Sequence, residues 1–253
     1  DLMGLVVGLE STSFYGIHIA NYLSSCETLA PFQTKVYCLN PKVIRNYKKS
    51  FVDLGKNDFV DAFVIADFAR ANRITAKPWR GSQFLALQRL TRHRLHLAKA
   101  LSREKAYMLS NIFLKFSEFS LLEADKQPFS NSFGTTAASV LTDFLSTEEI
   151  LEMPIEDLVA FLGEKGHHHF NNPNQTADLL RQAARDSYRL DKCLYAPLTI
   201  SIASSFTLIA TYQAEIKLVN KAIEKTLRGL DPNAYQILLS IPGIGPVMAA
   251  GIL

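Results

Sequence analysis

The stretch from Arg80 to Phe119 contains no proline, and Leu85, Leu87, Leu90, Leu95, Leu97, Leu101, Leu109, Ile112 and Leu114 run through it among Arg, Lys and His. A leucine-rich segment of that length without a helix breaker commits the chain to one long helix or a helical hairpin, open to coiled-coil packing. The heptad spacing is imperfect. The residues before it follow another rule. Leu5 to Leu9 is a short apolar run, the pattern of a buried strand, and Glu10 stands at its end. Ser11, Thr12 and Ser13 can cap a helix, and Tyr15, Ile19, Tyr22 and Leu23 recur at helical spacing. Thr34 to Leu39 predicts a second strand, and Pro41 suits the first position of a short helix. Asp58 to Ala71 predicts a further helix, with Phe59, Phe63, Ile65, Ala66 and Ala69 as its apolar contacts. Strand, helix, strand, helix in that order predicts an α/β layer with parallel strands.

Beyond Phe119, short helices are expected at Ser139–Phe144, Glu148–Met153 and Asp157–Leu162, a polar loop at Gly163–Asn174, and longer helices at Gln175–Leu190 and Ser204–Arg228. The fold class expected is an α/β N-terminal part, then a mostly α-helical, coiled-coil-bearing region, then the start of a C-terminal domain with a helix-hairpin-helix-like turn. The corresponding boundaries are 1–78, 79–230 and 231–253. The most apolar stretch, Leu194 to Tyr212, contains Pro197 and many Ser and Thr residues, so no membrane span is expected. No basic segment precedes an apolar one at Asp1, so no signal peptide is expected. The three cysteines, Cys26, Cys38 and Cys193, are odd in number and far apart, which fits a reducing compartment better than a disulfide framework or zinc site.

Net charge is +3, but it is unevenly spread. From Lys35 to Lys105 sixteen basic residues stand against five acids, a net +11 that leaves −8 for the rest. A concentrated basic block is the electrostatic footprint of a phosphate backbone, or else a well-solvated helix face. Lys35, Lys42, Arg45, Lys48, Lys49, Lys56, Arg89 and Arg92 are its candidate nucleic-acid contacts.

Three constellations carry chemistry. Glu10 ends an apolar strand, where a carboxylate is costly unless it is used. Asp58 and Asp61, three apart on a predicted helix, face one side. Clustered carboxylates repel unless a hard cation lies between them, and magnesium so held is the usual device for attack on phosphodiesters. The alternative is a turn Glu plus helix-start Asp residues favoured by the macrodipole. Second, Ile241-Pro242-Gly243-Ile244-Gly245-Pro246 enters an Ala-rich helix. There Gly243 and Gly245 would let the backbone approach a phosphate, unless the segment is a plain interhelical turn. Third, His167, His168 and His169 invite a metal reading, but three consecutive residues cannot all face one ion, so a loop is expected. Trp79, Tyr107 and Phe113 could stack bases or pack in a helical core.

Glu10-Ser11-Thr12-Ser13-Phe14-Tyr15, then Leu39-Asn40-Pro41, then Lys56-Asn57-Asp58-Phe59-Val60-Asp61-Ala62 resemble, in order and spacing, the nuclease half of the Asp-Glu-Asp-Asp (DEDD) transposases of the insertion-sequence-110 family, related to the Piv invertases. Ser11 and Ser13 stand where the family usually has Ala and Gly, and Asn57 where it has Thr. The resemblance implies a RuvC-like, ribonuclease-H-type fold and a magnesium site of four acids, with Glu10, Asp58 and Asp61 in the last three roles. It implies a helical assembly region making dimers or tetramers, and a C-terminal serine nucleophile. It further implies DNA recombination, guided in members of the family by a structured non-coding RNA, in the cytoplasm of a prokaryote and associated with the nucleoid. The first Asp is expected upstream of Glu10, Asp1 being too close, and the serine beyond Leu253, so this chain alone is expected to bind DNA without cutting it.

The function expected is a magnesium-dependent DNA transposase or recombinase. The rivals are a RuvC-like junction-resolving nuclease, which a strand-joining assay separates, and a non-catalytic nucleic-acid-binding module, which metal titration separates.

Overall fold

The computed structural model describes residues 4–12, 14–52, 54–119, 127–166 and 172–253. Ser13, Asp53 and the His167–His169 run lie outside the described residues. Two compact units form, one from residues 1–91 with 223–253, the other from 92–222. This differs from the three-part division expected at 78 and 230. Leu227, Tyr235, Ala249 and Ala250 are buried, and the segment carrying them groups with the N-terminal residues.

In the first unit, strand β1 (Val6–Glu10) pairs in parallel with β2 (Lys35–Leu39), in register from Val6 opposite Lys35 to Glu10 opposite Leu39. The connection runs through helix α1 (Tyr15–Ser25) and a 3-10 turn at Glu27–Phe32. The expected capping by Ser11 and Thr12 does not occur. Phe14 takes the N-cap position without a side-chain bond, while the Ser11 and Thr12 amides donate to Leu39 O and Glu10 O. Asn40 caps α2 (Pro41–Lys48), its Oδ1 accepting from the Lys42 amide at 2.9 Å, with Pro41 in the first turn. Asn57 caps α3 (Asp58–Arg70) in the same way through Val60 N. An N-cap side chain satisfies an amide that the helix leaves orphaned. The apolar face of α3 is not the expected one. Val64 and Phe68 are buried, whereas Phe59 and Phe63 are 84% and 51% exposed. Leu39, Ile44, Val64 and Phe68 form the small core, flanked by Tyr37, Tyr47, Val60 and Ile65. β1 is half-buried rather than buried, with Val6 48% exposed.

The leucine-rich stretch is one helix, α4 (Ser82–Lys115), not a hairpin. It is followed by a 3-10 turn at Ser117–Phe119. In the second unit come α5 (Thr135–Asp143), α6 (Thr147–Glu152), α7 (Ile155–Lys165) and α8 (Pro173–Asp186). α9 (Lys192–Leu230) begins well before the expected Ser204 and passes through Pro197. Pro197 is exposed one turn into the helix, so its missing amide costs a single bond near the end. The buried stripe Tyr195, Ile202, Ser205, Ile209 more than offsets that loss. Carried through Pro197, α9 is long and apolar enough to cross a membrane by length and composition, with a mean hydropathy of 1.6 over its most apolar window. Pro197 thus does not interrupt the helix as expected, and Ile202 and Ile209 sit in the protein core.

Within this unit α4 and α9 run antiparallel. Arg94 Nε donates to Asn220 Oδ1 at 2.7 Å, Ser205 Oγ to Glu104 Oε1 at 2.6 Å, and Lys115 Nζ to Thr199 Oγ1 at 2.7 Å. Ile209 and Val219 of α9 are thus buried in the chain's own packing. Tyr107 and Phe113, expected in a helical core, are 57% and 44% exposed. The core gathers Met108, Ile112, Phe116 and Phe119 with Val140, Leu141, Leu158, Leu162 and Leu180.

Lys115 is buried in that core, 3% exposed. Besides Thr199, its ammonium donates to the carbonyls of Leu141 and Phe144 at 2.7 and 2.8 Å, at the C-terminal end of α5. A cation there satisfies orphaned carbonyls and meets the negative end of the helix dipole. Burial nevertheless pushes the Lys115 pKa down to about 8, with Glu149 pulling weakly the other way.

Two outcomes follow. Lys115→Met leaves two buried carbonyls without a donor, a loss that outweighs relief from ammonium desolvation, so stability near neutral pH should fall by about 1–3 kcal/mol in denaturant titrations. Because the folded pKa lies below the unfolded one, the unfolded chain binds more protons between about pH 8 and the ordinary value of 10.5. Stability therefore rises through that window in the wild type relative to Lys115→Met. A pH series of melting curves with parallel slopes for the two proteins would contradict it. Gly8 gives the second outcome. A Cβ there would lie 2.5 Å from Ile65 Cγ2 and 3.2 Å from Leu39 Cδ1. Gly8→Ala should lower stability by about 1–3 kcal/mol, and pairing it with Ile65→Ala should recover part of that loss in a double-mutant cycle.

Candidate functional site

The contact at Gly8 positions the acidic residues. α3 packs on β1, with Ile65 seated over Gly8. One helical turn back from Ile65, about 6 Å along the axis, is Asp61. Two residues on from Gly8, about 6.6 Å along the strand, is Glu10. Asp61 also lies on the inward-facing row of α3 that continues through Val64 and Phe68. The two carboxylates thus arrive at the same level, at the C-terminal end of the strand.

They line one cleft of about 790 Å³. Its walls also include Asn40, Lys42, Arg45, Lys48, Lys56 and Leu54. The residues come from four places: the end of β1, the capped start and body of α2, the loop before α3, and the first turn of α3. The Lys48 ammonium contacts Asp61 Oδ1 at 2.6 Å. Its base is fixed by its neighbour, because Tyr47 donates its hydroxyl to Asp67 Oδ2 at 2.8 Å and packs edge-on against Phe68 and Phe51. That hydrogen bond, with Arg70, holds the Asp67 carboxyl below its ordinary value and raises the Tyr47 hydroxyl.

The expected trio is brought together only in part. Glu10 and Asp61 share the cleft, but Asp58, exposed in the first turn of α3, is not among its lining residues. No group of three His, Cys, Asp or Glu side chains among the described residues is close enough to hold a metal ion. Hard carboxylate oxygens suit magnesium chemically. What the cleft assembles is two such donors, one of them occupied by a lysine.

Four of the expected basic contacts, Lys42, Arg45, Lys48 and Lys56, line this cleft. Lys35 is exposed on β2 and Lys49 follows the end of α2, both outside it. The Arg89 guanidinium lies 4.5 Å from the centre of the Phe14 ring. Arg92 is exposed on α4 in the second unit, on a face shared with His93, His96, Lys99 and Arg103. Trp79 is tied down, its indole N–H donating to Asn21 Oδ1 and its amide to Val36 O. Gly243 has φ +88° in the turn between α10 (Pro232–Leu239) and α11 (Pro246–Ile252), and Gly245 caps α11. Only glycine adopts such a φ without strain, so the turn chemistry expected there is present. The Lys48–Asp61 pair had no sequence signal, since thirteen residues and a loop separate the partners. Asn40 could have been found, as an Asn before a proline that opens a helix.

No curated protein matches the chain. Residues 4–115 match the family model of the insertion-sequence-110 DEDD transposases, described as a transposase. Over this segment, with its paired carboxylates at the strand end and its basic walls, the chain is similar to the DEDD transposases of insertion sequence 110.

Proposed function

We infer that the protein acts as a DNA transposase or recombinase that cleaves and transfers strands with magnesium, working in the cytoplasm of a prokaryote on nucleoid DNA. The observation that carries this reading is a single cleft in which Glu10 and Asp61 stand among Lys42, Arg45, Lys48 and Lys56, inside a segment of the transposase family. The cations hold and orient the phosphate backbone, and positioning alone supplies much of the rate in phosphoryl transfer. The carboxylates mark where a divalent ion is needed. Magnesium held by Glu10 and Asp61, with Asp58 turned in from the same helical face, would act as a Lewis acid on the phosphodiester. The first unit is read as part of a RuvC-like nuclease fold and the Gly243–Gly245 turn as a helix-hairpin-helix-like backbone contact. A structured guide RNA fits the basic face of α4 as well as DNA does, and assembly into dimers or tetramers belongs to the same reading.

One observation favours a second reading, a non-catalytic nucleic-acid-binding module: three ligands for a metal do not meet among the described residues. Manganese titration separates the two. A saturable site weakened by Glu10→Gln or Asp61→Asn supports the transposase reading, and no site supports the module.

Binding to duplex DNA should fall steeply with salt, by a slope of about 0.9 in log affinity against log salt for each phosphate neutralised. Lys42→Ala with Arg45→Ala should lower that slope by about 2. Affinity that hardly moves between low and moderate salt would remove the basic cleft from the mechanism. Magnesium-dependent nicking of supercoiled DNA, wherever it is observed, should vanish in Asp61→Asn while DNA binding persists. Nicking that survives both Glu10→Gln and Asp61→Asn would place the chemistry elsewhere.

A further inference from the structure

We propose that Lys48 is a resident counter-ion which keeps Asp61 neutralised until nucleic acid draws its ammonium onto a phosphate, freeing Asp61 for a divalent cation. The proposal rests on the metal-cleft reading above.

The Lys48 ammonium occupies the position, 2.6 Å from Asp61 Oδ1, that a cation would take beside that oxygen. An ion and an ammonium cannot both hold the same carboxylate oxygen closely without strong mutual repulsion. Metal entry at Oδ1 of Asp61 therefore requires Lys48 to leave, and a lysine that leaves needs another anion. The cleft provides the place for one. Lys42, Arg45 and Lys56 line it and attract phosphate, while the four-carbon stem of Lys48 lets its ammonium swing. Its backbone stays fixed, because Tyr47 anchors α2 to α3 through Asp67 and Phe68. The exchange is easy because the pair is partly exposed, 20% at the Lys48 side chain and 42% at Asp61, and such pairs are weakly held. Phosphate binding and metal binding are thereby coupled, and the coupling is reciprocal. A carboxylate that is metal-ready only when substrate is present limits idle metal loading.

The experiment titrates the full chain with manganese, reading free Mn²⁺ by electron paramagnetic resonance, with and without a short oligothymidylate. Lys48→Met keeps the alkyl stem and removes the charge, Lys48→Gln is a second neutral variant, and Lys48→Arg keeps the charge. Without nucleic acid, both neutral variants should bind Mn²⁺ about three- to fivefold more tightly than wild type, the gain expected from losing a weakly held competitor, and Lys48→Arg should not. The tightening that oligothymidylate brings should be larger in the wild type than in either neutral variant. Unchanged or weaker Mn²⁺ binding in both neutral variants overturns the counter-ion role, while the metal site itself stands if Asp61→Asn weakens binding. If Asp61→Asn leaves Mn²⁺ affinity unchanged, the metal-cleft reading fails, and this proposal with it.

Discussion

Ile65 resting on Gly8 is the contact on which the candidate site depends. A side chain at position 8 would collide with Ile65 Cγ2, so the absence of one sets how closely α3 lies on β1. From that anchor the geometry is arithmetic. A helical turn and a two-residue strand step are nearly equal in length, so a helix running back along a strand brings Asp61 level with Glu10. Were α3 lifted off the sheet, the carboxylates would separate and the cleft between them would open. The small core of Leu39, Ile44, Val64 and Phe68 supports the same contact from the side of α2.

Charge then decides what the cleft does. Two carboxylates brought together repel, and the chain answers with cations from α2 and the loop before α3. Lys48 takes Asp61 directly, while Lys42, Arg45 and Lys56 leave the rest of the cleft electropositive. An acidic end inside a basic wall is the arrangement on which the proposed binding of a polyanion beside a hard cation rests.

The second unit solves a different problem with the same means. Lys115 enters an apolar core where the end of α5 presents carbonyls that its ammonium satisfies. One ammonium reaches carbonyls at the end of α5 and a hydroxyl on α9, so it joins three helices, including its own α4, at one point. The polar pairs Arg94–Asn220 and Glu104–Ser205 hold α4 and α9 in their antiparallel register further along. Uniform leucine faces would allow the helices to slide; polar pairs at defined positions do not.

Local order was legible in the sequence. The strands ending at Glu10 and Leu39, the caps at Asn40 and the start of α3 at Asp58 follow from apolar runs and turn chemistry, and the long α4 follows from the absence of proline. The motifs around Glu10, Asn40 and Asp58 carry a resemblance to the family whose model matches residues 4–115. Other features had no local signature. Phe59 and Phe63 look like core residues until Val64 and Phe68 take the sheet-facing row, because which face of a helix is buried depends on the surface it meets. α9 crosses Pro197 because distant core contacts outweigh one lost backbone bond. Lys48 and Asp61 are charged residues of ordinary kind until the chain folds. Sequence alone determined which residues could carry the chemistry, since residue type and period are local properties. Only tertiary structure decided that Glu10 and Asp61 share a cleft, that Asp58 stays outside it and that a lysine holds Asp61, because distances between separate elements are set by packing.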